Sequence, residues 1–179
     1  MWLKNFVVQI ITMSLGILMI QGCVSVPKGV AVVQGFHLER YLGTWYEIAR
    51  LYHRFERGLS DVSATYQKRD DGGIDVFNRG FSKESNDWKE VRGRAYKVGK
   101  PGQASLKVTF FWPFYAGYNV IVLDRDNYQY ALVCGPSKKY LWILAREKQL
   151  EESIVNQLLA KAKAYGFKTD ELIFVTHVN

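Results

Sequence analysis

Few residues in this sequence are equipped for covalent or metal chemistry. Cys23 and Cys134 are its only thiols, and His37, His53 and His177 its only imidazoles. A thiol becomes a nucleophile when neighbouring positive charge or a base holds its pKa down. Cys134, at the end of Ala131-Leu-Val-Cys-Gly, has no such neighbour in sequence and reads as a small buried hydrophobe. The three histidines stand apart, and no Cys/His cluster has ligand spacing, so no metal is expected. No Gly-x-Ser-x-Gly elbow offers a serine nucleophile. Asp71-Gly-Gly belongs to a hairpin turn and not to a phosphate loop opening a helix. The expectation is a protein without catalytic residues or cofactor, which leaves binding as the main class.

Cys23 has a different chemistry open to it. Met1-Trp-Leu-Lys4 is short and positive, residues 6–20 form an apolar run, and Gln21-Gly22-Cys23 follows. The run has the length of a secretory h-region and is short for a membrane-spanning helix. Ile20-Gln-Gly-Cys23 resembles the cleavage box of bacterial lipoproteins, although Gln21 is an uncommon residue there. The resemblance implies a signal peptide over residues 1–22, removed to leave Cys23 acylated on its sulfur and its amine. Each buried methylene contributes about 0.8 kcal/mol, so several chains (palmitate or similar) hold a protein at a bilayer almost permanently. Val24 follows the cysteine, without an inner-membrane retention aspartate, so the implied address is the outer membrane, at its periplasmic face. Lipid on Cys23 would also leave Cys134 without a disulfide partner.

The rest of the chain must position whatever binds. A length of 179 residues, 48% apolar, supports one domain with a sizeable core. The net charge is +7, and loss of residues 1–22 removes only Lys4. The positive residues are scattered, with no basic helix and no aromatic stripe, so nucleic acid is not an expected partner. Residues 23–35 read as a tether, and residues 36–179 as the folded domain. Within it, 43–51, 61–69, 74–81, 88–98, 105–111, 117–124, 128–134 and 140–146 read as strands, with connections too short for parallel crossovers. Eight antiparallel strands in sequence order predict an all-β, up-and-down barrel with room inside for one small ligand. One helix follows. Leu150, Ile154, Val155, Leu158, Leu159, Ala162 and Tyr165 share a face that needs an outer wall to cover it, and Gly166 suits its C-cap. Residues 172–176 read as a last short strand.

Three stretches carry a family resemblance. Leu42-Gly-Thr-Trp-Tyr-Glu47 places a glycine two residues before a tryptophan at the start of the first strand. Asp124-Arg-Asp-Asn-Tyr and Leu141-Trp-Ile-Leu-Ala-Arg146 follow in order. Together they resemble the lipocalin signature, over roughly residues 36–176, and within it the bacterial outer-membrane branch related to apolipoprotein D. The resemblance implies a barrel floor at which Arg146 lies across the indole of Trp45 beside Gly43. If Arg146 points to that floor, alternation turns Leu144, Trp142 and Tyr140 inward. The same rule applied from Trp45 turns Glu47, Ala49 and Leu51 inward, unless a bulge returns Glu47 to solvent. Val76-Phe-Asn78-Arg resembles the lipocalin segment that offers an asparagine to ligand.

The hairpin between strands five and six, Phe110-Phe-Trp-Pro-Phe-Tyr-Ala-Gly117, is aromatic where turns are usually polar. In the lipocalin order it lies at the open mouth. It reads as a lid over ligand, a membrane contact or a contact with a second copy, or else it folds over as core. Tyr115, with a polar tip on an apolar body, suits a carboxylate or phosphate at the rim. The resemblance thus implies that the barrel takes a fatty acid or lysophospholipid, with Glu47, Asn78, Tyr115 and Trp142 as candidate contacts. A homodimer is compatible with it. A barrel enzyme acting on a hydrophobic substrate and a structural envelope protein are the alternatives.

Overall fold

The computed structural model describes residues 24–178. The expected signal peptide 1–22, its boundary and Cys23, the expected acylation site, lie outside the described residues. Nine strands follow a short helix, α1 (Leu38–Tyr41): β1 (Gly43–Leu51), β2 (Leu59–Lys68), β3 (Ile74–Ser82), β4 (Asp87–Lys97), β5 (Ser105–Phe111), β6 (Phe114–Leu123), β7 (Tyr130–Cys134), β8 (Leu141–Ala145) and β9 (Leu172–Phe174). Helix α2 (Glu152–Ala164) lies between β8 and β9. Each of β1 to β8 pairs antiparallel with the next, and β8 returns to β1, so the sheet closes on itself. Closure leaves the eight strands of the barrel almost no free edge.

The strands alternate in direction, which fixes the two ends. The loops at 69–73, 98–104 and 124–129 gather at one end with α1; those at 52–58, 83–86, 112–113 and 135–140 gather at the other. A first apolar cluster fills the lower interior, from Phe36, Tyr41 and Trp45 to Val76, Leu106, Val120 and Leu144. A second lies outside the wall, where Leu158 and Ala162 of α2 pack on Ile143 and Leu141 of β8 and Leu132 of β7. All seven apolar residues of the expected helix face belong to this second cluster. The helix stops as its sequence requires: Gly166 takes φ +78°, its N–H donates to Lys163 O and that of Phe167 to Ala162 O, a Schellman closure. Cys134 is buried in the same outer cluster, and burial pushes its thiol up to about 12, against reactivity.

Two departures from simple alternation matter for the site. Between Glu47 and Ala49 the register of β1 against β8 shifts, so Ile48 forms a bulge. Past it, Ala49 and Leu51 join the outer cluster under α2 and β9, which corrects the inward placement that unbroken parity gives them. Arg50 turns inward instead, opposite Trp142. The second departure is the segment 24–36, which is no free tether. Val33 donates to Val120 O and accepts from Ala104 N, and Phe36 donates to Gly102 O. Further back, Asn119 Nδ2 donates to Ser25 O at 3.4 Å, and a Cβ on Gly117 would come within 3.1 Å of the Val24 carbonyl. The segment therefore runs up the barrel wall from the closed end towards the open one.

Candidate functional site: the barrel interior

The floor is built by Gly43, Trp45 and Arg146. Trp45 is fully buried, stacks on Tyr41 at 4.6 Å between centroids and donates its indole N–H to Tyr41 O at 2.8 Å. Burying an indole of this size is worth about 4–6 kcal/mol at the usual area coefficient. Arg146 lies across the other side, its Cζ 4.0 Å from the ring centroid. Its guanidinium donates to Thr44 O at 2.8 Å, to Leu42 O and Arg40 O at 2.9 Å, and to Tyr128 O at 3.3 Å. A planar fork of five donors can reach that fan of carbonyls, and an ammonium cannot. Gly43 is needed twice over: its φ is +92°, and a Cβ would stand 3.3 Å from Arg146 Nη1.

Above the floor a layer of phenols crosses the interior. The hydroxyls of Tyr41 and Tyr118 are 2.7 Å apart, and Tyr66 donates to Tyr118 at 3.0 Å. Burial holds all three well above the ordinary phenol range, so they stay neutral hydrogen-bonding groups. Higher still the wall is uncovered. Asn78 of β3 pairs directly with Val91 of β4 and with Ala64 of β2, on the same face as buried Val76. Val91 shares that inward face and is 40% exposed. Phe110 lies against Gly93, where a Cβ would meet its ring at 2.7 Å, and Trp142 is half-buried opposite Arg50. The Oδ1 of Asn78 is buried and has no hydrogen-bond partner among the described residues.

Beside Trp142 lies a polar cluster that sequence parity did not reveal. Glu47, buried and inward, accepts from Arg50 Nη1 at 2.6 Å. Arg50 also donates to Glu56 O at 2.8 Å and Leu59 O at 3.2 Å, and its Nε is 3.8 Å from the Glu56 carboxylate. His53 Nε2 is 3.2 Å from that carboxylate, and Trp142 Nε1 donates to it at 3.5 Å. Burial, then the charge of Glu56, holds Glu47 well above the carboxylate range. Burial also works against ionising Glu56, but the neighbouring His53 and then Arg50 overcome it and hold Glu56 low. The two buried acids share Arg50, which is 2.6 Å from Glu47 and 3.8 Å from Glu56, and they are pushed in opposite directions, Glu47 up and Glu56 down. A lone buried carboxylate would cost several kcal/mol; this division avoids it.

Tyr115 lies elsewhere. Ala116 pairs with inward Val108, so Tyr115 faces out, its ring against Tyr96 at 6.3 Å and beneath Lys107 Nζ at 4.8 Å. Tyr115, expected at the rim, thus faces away from the interior that Asn78 and Trp142 line, because two consecutive residues of a strand face opposite ways. A concavity of about 610 Å³ lies on the outer face of β1 to β4, bordered by Thr44, Tyr46, Phe77, Arg79, Trp88 and Arg92 and also reached by Asn78 and Val91. Its border mixes aromatic and charged side chains. Among the described residues, no group of three or more His, Cys, Asp and Glu could hold a metal ion.

Comparison with known proteins follows the same outline. The model of the lipocalin-like domain family matches residues 36–177. "Outer membrane lipoprotein Blc" of Citrobacter freundii is 56% identical over 83% of this chain and 84% of its own length. "Temperature-induced lipocalin-1" of Arabidopsis thaliana is 40% identical over 81% of each chain. Among solved structures, insecticyanin of the tobacco hornworm Manduca sexta superposes with a TM-score of 0.69, covering 87% of this chain and 88% of its own, at 21% identity. That last likeness concerns the fold alone.

Proposed function

The chain belongs to the lipocalin family, and from that premise we propose that it binds and carries a fatty acid or lysophospholipid at the bacterial outer membrane, anchored by acyl chains on Cys23. The observation that carries the proposal is the graded interior: a sealed aromatic floor, a neutral phenol layer, then an uncovered apolar wall of Ala64, Val91, Phe110 and Trp142. An acyl chain needs apolar surface at about 25 cal/mol per Å² and little else. Asn78, on the inward face of β3 between Ala64 and Val91, is a polar side chain beside that wall. Glu47, hydrogen-bonded to Arg50 beside Glu56, adds a paired polar group near Trp142. The printed name of the 56% identical relative, an outer membrane lipoprotein, supports the membrane address.

The test is lipid extraction from the protein purified out of its own membrane, with mass spectrometry of both fractions. A stoichiometric acyl-bearing lipid, returned unaltered on incubation, is the expected result. Chemical conversion of an added ligand would favour the enzyme reading. An empty barrel that also refuses added lipid would favour a structural role.

A further inference from the structure

Among the described residues, the most exposed aromatics lie at the open end, in the loop 52–58 and the hairpin between β5 and β6. Trp112 is 81% exposed, Phe111 78% and Phe55 76%, with Tyr52 and Phe114 beside them. Soluble surfaces rarely gather such groups at one end without an apolar phase to receive them. The charges of the two ends also differ. The open-end loops hold Arg54, Arg57, Lys83, Lys138 and Lys139 against Glu56 and Glu84. The closed-end loops hold Arg69, Lys100 and Arg125 against Asp70, Asp71, Asp124 and Asp126. Aromatic side chains ringed by cations are the composition of a surface that meets anionic headgroups.

The course of the N-terminal segment says which surface that is. The described chain begins at the same end: Ser25 Oγ donates to Pro136 O in an open-end loop, and the Val24 carbonyl lies against Gly117 beside the aromatic hairpin. Cys23 immediately precedes Val24 in the sequence. We propose that the mouth of the barrel docks on the bilayer in which Cys23 is anchored, with Phe111, Trp112 and Phe114 inserted among the headgroups and the lysines and arginines against anionic phosphate. This rests on the reading of Cys23 as the acylated residue. Phe110 of the same hairpin faces the interior against Gly93, so one short element presents apolar surface to the bilayer and to the cavity. Ligand then passes between membrane and barrel without crossing water.

Full-length protein, processed in its host and reconstituted into phosphatidylethanolamine–phosphatidylglycerol vesicles, tests this. Emission of Trp112 is isolated as the difference between wild type and Trp112→Phe, a change that keeps an aromatic at an exposed site. Quenching by lipids brominated on their acyl chains, with protection from aqueous iodide, is the predicted result. In Lys138→Glu/Lys139→Glu the ratio of docked to undocked mouth should fall at least about fivefold. Iodide access as full as in the urea-unfolded chain, without bromine quenching, would overturn the proposal. Protection from iodide without bromine quenching would overturn it too, since protein and not lipid, such as a second copy of the chain, would then cover the hairpin. Intact mass of the same preparation reports acylation separately. Bromine quenching on a chain lacking acyl mass would refute the Cys23 anchor and uphold the docking.

Discussion

Replacing Arg146 with alanine should unseat the barrel floor. The side chain serves four carbonyls and one indole face, and the partners fare differently when it goes. Arg40 O is at the surface and rehydrates. Thr44 O, Leu42 O and Tyr128 O are partly buried, and leaving such acceptors unpaired costs about 1 kcal/mol each. The cation–π contact with Trp45, half shielded from water, adds about 1 kcal/mol. The expected loss is about 3–5 kcal/mol, large for one substitution because a network is broken. Arg146→Lys keeps the charge but reaches one or two of the carbonyls, so about half of that loss should remain. Urea unfolding followed by far-ultraviolet circular dichroism measures both. If Arg146→Ala unfolds within about 1 kcal/mol of wild type, the fan of hydrogen bonds is not structural and the floor is held by Tyr41 and Trp45 alone.

The remaining predictions concern one residue each. Gly43→Ala, forced to φ +92° with its methyl 3.3 Å from Arg146 Nη1, should lose about 1–3 kcal/mol in the same assay. Glu47, whose folded pKa lies above its unfolded value, contributes stability that is full below the ordinary carboxylate range and is lost as pH rises through the folded value. Glu47→Gln should flatten that fall in a series of melts across pH, whereas Glu56, held low, contributes stability that is lost on the acid side. Trp142→Ala should weaken acyl-chain ligands about tenfold through lost apolar contact, measured by titration on folded protein. Tyr115→Phe should bind fatty acid, neutral alcohol and lysophospholipid as wild type does, because its hydroxyl is outside the wall.

The sequence carried the ends of the site better than its middle. Gly43, Trp45 and Arg146 are legible because each is a rare type doing a job no other residue does: a positive φ, a stacked indole and a five-donor fork. The inward face of β8 is legible from Arg146 because that strand pairs without a break from Leu141 to Ala145. In β1 the same rule fails at Ile48, since a bulge of one residue reverses every face after it. A signal was present. Glu47 and Arg50 are opposite charges three apart in the strand Trp45–Leu51, and an odd spacing cannot place both inside unless a bulge intervenes. Tyr115 misleads for a related reason: read from its aromatic neighbours it belongs to the mouth, but counted back from inward Tyr118 it must face out. His53 and Glu56 come from a loop without periodicity, and only the folded chain brings them to Trp142.

The central claim is that the uncovered space beside Val91, Asn78 and Trp142 is where the ligand lies. Val91→Trp tests it most directly, because the valine stands on the inward face of β4 beside Asn78 and, at 40% exposed, has room for a larger side chain. Calorimetric titration with a lysophospholipid should give one site per chain in wild type and little or no binding in Val91→Trp, with melting temperatures within a few degrees of each other. Undiminished affinity in a folded Val91→Trp would place the ligand elsewhere and contradict the account.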